Sequence, residues 1–274
     1  MAGFFGMFNF DKPGRGVDKD APEKRGFFLF FDILFRKFWR ISTLSLFYTL
    51  FSLPAVVVFF LLNTFLQTWI SPIKDPDFIS SIGVILTIFL ICFLGAGPAS
   101  AGQAYVLRNF TREEHAWPWE DFWSQIKANF WQGMGVFLLD IVLLTVLPGA
   151  ASLYFQYGSQ MPISPLFSAV FGFLAIIFLF IWILMHFFLY PMMVTLDMRF
   201  GKLIKTAFLL TMAKLPQCIL IFILSMAVFA LFLALYLVNV GLMVLYAALG
   251  FSFVTFVYVF YATRVMDEIL EKEQ

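Results

Sequence analysis

Two ionisable side chains inside long apolar runs are the residues of this sequence best suited to chemistry. Asp140 lies among leucine, isoleucine and valine in residues 138–142, and His186 lies in the equally apolar stretch 184–188. An ionised aspartate at the centre of a membrane helix costs about 2.5 to 3.5 kcal/mol on insertion scales, so each residue needs a reason to be there. Each also lies on the order of 10 Å from the same predicted end of its helix. We therefore predict that Asp140 and His186 form an intramembrane polar pair.

The chemistry open to such a pair is proton binding. A carboxylate beside an imidazole in a medium of low dielectric responds to protons, as a proton-coupled transporter requires. The structural alternative is a neutral Asp140 that bonds to a nearby hydroxyl, with His186 capped by a backbone carbonyl. The sequence leaves both interpretations open.

The second unusual feature is a run of small residues in the second apolar segment, residues 95–102. It contains Gly95, Gly97, Pro98 and Gly102. Small residues let membrane helices approach closely, and a proline removes one helical hydrogen bond, so the run predicts a kink with tight packing. In transporters the same device exposes backbone groups to a substrate at a broken helix, which is the functional alternative.

Enzymatic and cofactor motifs do not accompany these features. The sequence contains no Walker loop, GxGxxG, HExxH or GxSxG motif, and it has only two histidines. Cys92 and Cys218 lie in separate apolar runs, which provides neither a disulfide framework nor a CxxC pair. Residues 112–115, Arg-Glu-Glu-His, would bind an ion or, more simply, form a solvated loop. We expect neither an enzyme nor a cofactor; an enzyme whose residues converge from distant helices is the third alternative.

Composition identifies lipid as the solvent of this chain. Of 274 residues, 62% are hydrophobic and 13% are charged, which is more apolar surface than one soluble core would bury. The balance of 18 basic against 17 acidic residues excludes nucleic acid as a partner, because its backbone requires a clustered basic excess. The fold class we predict is all-α, a polytopic membrane protein.

Six apolar segments are long enough to cross a membrane, for which about 20 helical residues are needed. They are residues 43–66, 78–107, 131–155, 166–190, 215–238 and 240–263. Five or seven crossings would require the second segment to be split or the last two to be fused near Asn239. We expect one domain, residues 1–274, with an N-terminal segment 1–41, a six-helix bundle 42–263 and a tail 264–274.

The basic residues predict the orientation of the bundle. Of 18 lysines and arginines, Lys74 alone falls in a connection predicted to face outward, and basic residues accumulate on the cytoplasmic side. Both termini are therefore predicted to be cytoplasmic. The N-terminal residues do not resemble a signal peptide, so we expect them to be retained.

Three basic amphipathic stretches lead directly into the outward segments, which suggests a threefold internal repeat of one short helix and one hairpin. Their one-sided patterns predict helices in the inner interface, with apolar faces in lipid and cations near the phosphates of the anionic inner leaflet. The alternative is a docking platform for a partner protein. The candidate contacts are Arg36, Lys37, Arg40, Lys127, Arg199, Lys202 and Lys205.

Several segments of the chain resemble the YesL-like family of bacterial membrane proteins. The resemblance lies in residues 97–108, 112–115, 122–123 and 127–132, and in residues 10–14 and 36–39. Members of that family are described as a domain of unknown function and are often encoded beside genes for polysaccharide breakdown and ABC-type sugar import. The resemblance implies location in a bacterial cell membrane, with sugar-import subunits or a sensor protein as partners. It supplies no catalytic or binding residue.

Two functions follow as expectations. The first is an accessory protein that assists or regulates a carbohydrate uptake system. The second is a proton-coupled secondary transporter of a small solute, in which Asp140 and His186 handle the proton and residues 95–102 line the pathway. An ABC permease is disfavoured, because residues 207–216 lack the Glu-Ala-Ala start and the glycine of the loop that docks an ATPase.

Overall fold

The computed structural model of the chain describes residues 26–70, 76–158, 164–238 and 249–272. Within these ranges the chain is helical and has no strand, as the apolar periodicity predicts. Three features of the sequence lie outside the described residues: the family-like segment 10–14, the loop at Lys74 and the turn at Asn239.

Ten helices make up the described part of the chain. In chain order they are α1 (Gly26–Arg36), α2 (Phe38–Ile70), α3 (Pro76–Phe93), α4 (Pro98–Thr111), α5 (Pro118–Ala128), α6 (Phe130–Tyr157), α7 (Pro165–Met193), α8 (Phe200–Ala213), α9 (Leu215–Val238) and α10 (Phe251–Lys272). Proline at the first position of α4, α5 and α7 suits the start of a helix, where no backbone N–H is needed.

Four of these helices are long and apolar enough to cross a membrane: α2, α6, α7 and α9. The pair α3 and α4 would be a fifth crossing if the two helices, which are bent by 53° at their break, count as one broken span. The predicted second segment is thus two helices. The predicted sixth, residues 240–263, begins outside the described residues, and its described part belongs to α10. The chain is therefore an all-helical, multi-pass membrane protein.

Helix α4 forms the centre of the bundle. Twelve of its 14 residues are buried, and α2, α5, α6, α7 and α10 pack around it. Its alanines, glycine and serine leave room for these neighbours to approach closely. Helix α4, which is the C-terminal half of the predicted second segment, is therefore a core helix that exposes little surface to lipid.

One residue separates each of the three short helices, α1, α5 and α8, from the long helix that follows it. The single residue between them is Lys37, Asn129 or Lys214, and at each one its own N–H donates to the carbonyl four residues earlier. Each residue's carbonyl in turn accepts from the N–H four residues later, at 2.8 to 2.9 Å. The same local geometry therefore recurs three times, whereas descent from a threefold internal repeat stays a prediction.

Polar contacts gather the short helices at one end of the bundle. Arg36 forms an ion pair with Glu113 after α4, and Arg112 pairs with Asp267 in α10 at 2.5 Å. Gln132 Nε2, near the start of α6, donates to the carbonyl of Met198 before α8 at 2.9 Å. We call this the basic end: α1, α5, α8, the α4–α5 connection and the C-terminal turns of α10.

Candidate functional site

Asp140 and His186 are in contact in the interior of the bundle. Asp140 lies in α6 and His186 in α7, and their side chains are 0% and 1% exposed. Asp140 Oδ1 is 3.1 Å from His186 Nε2. The same oxygen accepts a hydrogen bond from Trp182 Nε1 at 2.8 Å. The structure thus brings the two predicted residues together and adds Trp182 as a third member.

The remaining ring nitrogen of the histidine defines its tautomer. His186 Nδ1 lies 3.0 Å from the carbonyl oxygen of Trp182. Because a carbonyl only accepts, Nδ1 carries a hydrogen, and Nε2 is the position at which His186 would gain or lose a proton. Nε2 faces the carboxylate but is not aligned for a hydrogen bond with it.

Polar atoms without hydrogen-bond partners surround this contact. Asp140 Oδ2, His186 Nε2 and the Tyr190 hydroxyl are all buried, and none forms a hydrogen bond with a described residue. Trp182, His186 and Tyr190 are spaced by four residues, which places them on one face of α7. Buried polar atoms are normally satisfied, so these three atoms are where a proton or a small polar group would bind.

Tyr190 connects this face of α7 to the break between α3 and α4. The break needs glycine, because Gly95 and Gly97 have φ values of +90° and +62°. A Cβ atom on Gly95 would lie 2.3 Å from Ser100 Oγ and 3.0 Å from Tyr190 Cε2. The kink predicted for residues 95–102 is therefore a complete interruption of the helix beside the polar cluster.

Hydroxyl groups satisfy the backbone at the break. The Tyr48 hydroxyl donates to the carbonyl of Ile91 at 3.1 Å, and the Tyr258 hydroxyl donates to that of Cys92 at 3.2 Å. Ser100 Oγ accepts from the N–H of Ala96 at 2.7 Å. These bonds cap the open C-terminal turn of α3 and help the break persist inside an apolar bundle.

The other small residues serve close packing. A Cβ atom on Gly102 would lie 2.6 Å from the carbonyl oxygen of Phe122 in α5. On α6, a Cβ atom on Gly133 would lie 2.8 Å from the backbone of Pro98. Both α5 and α6 therefore reach α4 through glycine contacts. The buried side of α5, Phe122 and Ile126, consequently faces protein, in contrast to the apolar face in lipid predicted for this helix.

The predicted basic contacts divide into two groups. Arg36 pairs with Glu113, while Lys37 donates to the carbonyl of Glu114 at 3.3 Å and lies over the ring of Phe110. Partial burial, together with the neighbouring positive charges of Arg36 and Arg40, lowers the pKa of Lys37. The second group is exposed and has no ion pair with any described residue: Arg40, Lys127, Arg199, Lys202 and Lys205.

The charged loop of residues 112–115 is used in tertiary contacts. Arg112 and Glu113 both form ion pairs with other elements. Nearby, Arg108 is 8% exposed and donates to Asn109 Oδ1 and to the carbonyl of Val194 after α7. Within the described residues, no group of three or more His, Cys, Asp or Glu side chains would hold a metal ion.

Comparison with known proteins matches part of the chain to a protein family. The family model described as "Protein of unknown function, DUF624" matches residues 79–148. That segment runs from α3 through the break, α4 and α5 into α6, so it contains Asp140 but not His186. No curated protein and no solved structure matches the chain significantly.

Proposed function

We propose that this protein is a non-enzymatic member of the YesL-like group that assists or regulates a carbohydrate uptake system of the ABC type in a bacterial cell membrane. The resemblance supplies the carbohydrate context, and the match of residues 79–148 to a family of unknown function is compatible with it. The observation that supports docking is a set of three exposed cations, Arg199 just before α8 and Lys202 and Lys205 on it, which form no ion pair with any described residue.

The proposed topology has six crossings, with the basic end and both termini in the cytoplasm. Two ion pairs support it. Arg36 with Glu113 joins the end of α1 to the end of α4, and Arg112 with Asp267 joins the end of α4 to α10, so these helix ends lie at one end of the bundle. Lysine and arginine accumulate at that end, and such residues favour the cytoplasmic side of a membrane, so we assign the basic end to the cytoplasm.

The order of charges along α8 supports an external anionic partner for its cations. A helix N-terminus favours acidic residues, and α5 follows this preference with Glu120 and Asp121 in its first turn and Lys127 in its last. Helix α8 begins after Arg199 and has no acidic residue in its first turn. Acidic groups on a partner or in the inner leaflet would relieve this unfavourable arrangement.

Affinity purification tests the accessory function. The tagged protein is isolated in mild detergent from cells grown with and without polysaccharide, and the co-purifying proteins are identified. We expect sugar-import subunits or a sensor kinase with the wild type, and their loss when Arg199, Lys202 and Lys205 are all changed to Gln. Lys214→Gln, at the junction of α8 and α9, is the control and should retain them. A protein that purifies alone under both growth conditions would refute the accessory function.

A proton-coupled secondary transporter is the second candidate, and the contact between Asp140 and His186 favours it. In this function the pair would take up and release a proton at His186 Nε2, next to the broken helix at residues 95–102. Asp140→Asn keeps the shape of the side chain but removes its charge. A transporter with this change would lose proton-coupled solute flux in liposomes, whereas an accessory protein would keep its partners.

A further inference from the structure

A groove on the membrane-facing side of the bundle lies between α6, α7 and α8. It has a volume of about 490 Å³, and its walls are almost entirely apolar. Leu143 and Leu147 of α6 form one wall, Trp182 of α7 forms the back, and Ile204 and Phe208 of α8 form the other wall. Lys205 of α8 is the charged residue that lines it.

The residues that line the groove extend from the basic end into the bundle. Lys205 lies on a short helix at that end, whereas Leu147 lies 17 residues into α6, about 25 Å along the helix at 1.5 Å per residue. In the proposed orientation, Lys205 is therefore at the interface and Leu147 is at the depth of the hydrocarbon. This shape, with a cation at the interfacial opening, matches a lipid whose headgroup is anionic.

The charge at the interfacial opening is positive and uncompensated. Lys202 lies one turn before Lys205, and both side chains are exposed with no ion pair to any described residue. Asp197, which precedes α8, is also exposed and forms no described ion pair with either lysine. Two ammonium groups beside an apolar groove suit a phosphate that carries acyl chains.

We propose that this groove binds one anionic phospholipid, with an acyl chain between α6, α7 and α8 and the phosphate between Lys202 and Lys205. The proposal rests on the proposed cytoplasmic orientation of the basic end. It identifies anionic phospholipid as the ligand of the two α8 lysines. The bound chain would lie against Trp182, whose indole N–H holds Asp140. One side chain, Trp182, would therefore separate the lipid from the contact between Asp140 and His186.

Native mass spectrometry of the full-length protein, released from membranes of equal phosphatidylglycerol and phosphatidylcholine, tests this site. We expect one retained phosphatidylglycerol per chain. Changing Lys202 and Lys205 to Gln should lower the preference by about fivefold for each lysine removed. Lys214→Gln, which removes a cation at the junction of α8 and α9 outside the groove, should leave the preference unchanged. Equal retention of the two lipids by the wild type would overturn the proposal.

A second variant fills the groove without removing charge. Gly201 lines the groove, and a Cβ atom there would have no heavy atom within 4 Å, so Gly201→Phe begins in open space and is designed to fill the space proposed for the acyl chain. This variant should lose the retained lipid but keep any co-purifying sugar-import subunits, which separates this site from the accessory function. Unchanged lipid retention would show that no lipid occupies the groove. A wild-type dimer that Gly201→Phe converts to a monomer would show that a second copy of the chain fills the groove instead of a lipid.

Discussion

Asp140 is the acidic member of the buried polar cluster between α6 and α7. It is fully buried, it accepts a hydrogen bond from Trp182, and it faces His186, while its second oxygen has no partner in the described part of the chain. A carboxylate in an apolar bundle requires such contacts, because an ionised or unbonded group there is costly. The three side chains therefore depend on one another, and removal of one leaves the others unsatisfied.

Substitution of Asp140 should separate hydrogen bonding from charge. Asp140→Leu leaves the indole N–H of Trp182 without an acceptor, and we expect a loss of about 1 to 3 kcal/mol of stability. Asp140→Asn retains an oxygen acceptor for Trp182 and should cost less. Thermal unfolding of both variants in the same detergent measures the difference. Equal melting temperatures for the two would show that the bond to Trp182 does not contribute to stability.

The tautomer of His186 is directly observable, because the chain has only two histidines. In ¹⁵N-histidine-labelled protein that carries His115→Gln, the remaining signals belong to His186. Nδ1 should show a bonded hydrogen throughout the pH range, because it donates to the Trp182 carbonyl. Asp140→Asn should shift the Nε2 signal and leave Nδ1 nearly unchanged. An Nδ1 signal without a bonded hydrogen would contradict the geometry.

Sequence reasoning identified Asp140 and His186 but missed Trp182, Tyr48 and Tyr258. The first two stand out because ionisable residues in apolar runs are rare, and equal depth in neighbouring helices makes contact possible. An indole or phenol is common in membrane helices, and its polar tip gains a partner only through rotamer choice and packing. Asp140 and His186 could be found from the sequence because burying an ionisable group is costly. Uncharged aromatic side chains carry no such cost and therefore do not stand out.

Helix α4 is the element that organises the bundle. Its first turn follows two glycines with positive φ, and Gly133 of α6 lies against the backbone of Pro98 at that turn. The small residues predicted a kink. They did not reveal that the second half of the segment is buried on every side, since burial depends on which helices pack around it. Length and hydropathy alone therefore predicted that the second segment crosses the membrane as one helix, without showing that its second half lies in the core.

Two glycines on α6 allow a matched test of this packing. Gly133→Ala would place a Cβ atom 2.8 Å from the backbone of Pro98, and we expect overpacking to cost about 1 to 3 kcal/mol. Gly149→Ala meets no heavy atom within 4 Å and should stabilise the helix by about 0.5 to 1 kcal/mol. Melting temperatures that change in the same direction for both variants would exclude close α4–α6 contact.

On the scale of the whole molecule, ion pairs at the basic end join distant parts of the chain. Arg112 donates to both carboxylate oxygens of Asp267, at 2.5 and 3.3 Å, and the two side chains are 23% and 30% exposed. This pair links the end of α4 to α10. Charge counting predicted that the cations would share one side, but it did not identify their partners, because it carries no information on distance.

Charge exchange tests the link between α4 and α10. Arg112→Glu places two negative groups together and should lower the melting temperature, and Asp267→Arg alone should lower it as well. The double variant restores opposite charges and should recover part of the loss. A double variant whose loss equals the sum of the single losses would show that the two residues do not interact.

Cysteine accessibility in intact protoplasts tests the central claim, that the basic end faces the cytoplasm. In a chain without Cys92 and Cys218, Ser124→Cys places a thiol on α5 at the basic end, and Tyr157→Cys places one at the opposite end of α6, where both native residues are exposed. A membrane-impermeant maleimide should label position 157 in intact protoplasts and position 124 only after permeabilisation. Labelling of position 124 from outside would contradict the orientation and, with it, the docking of a cytoplasmic partner.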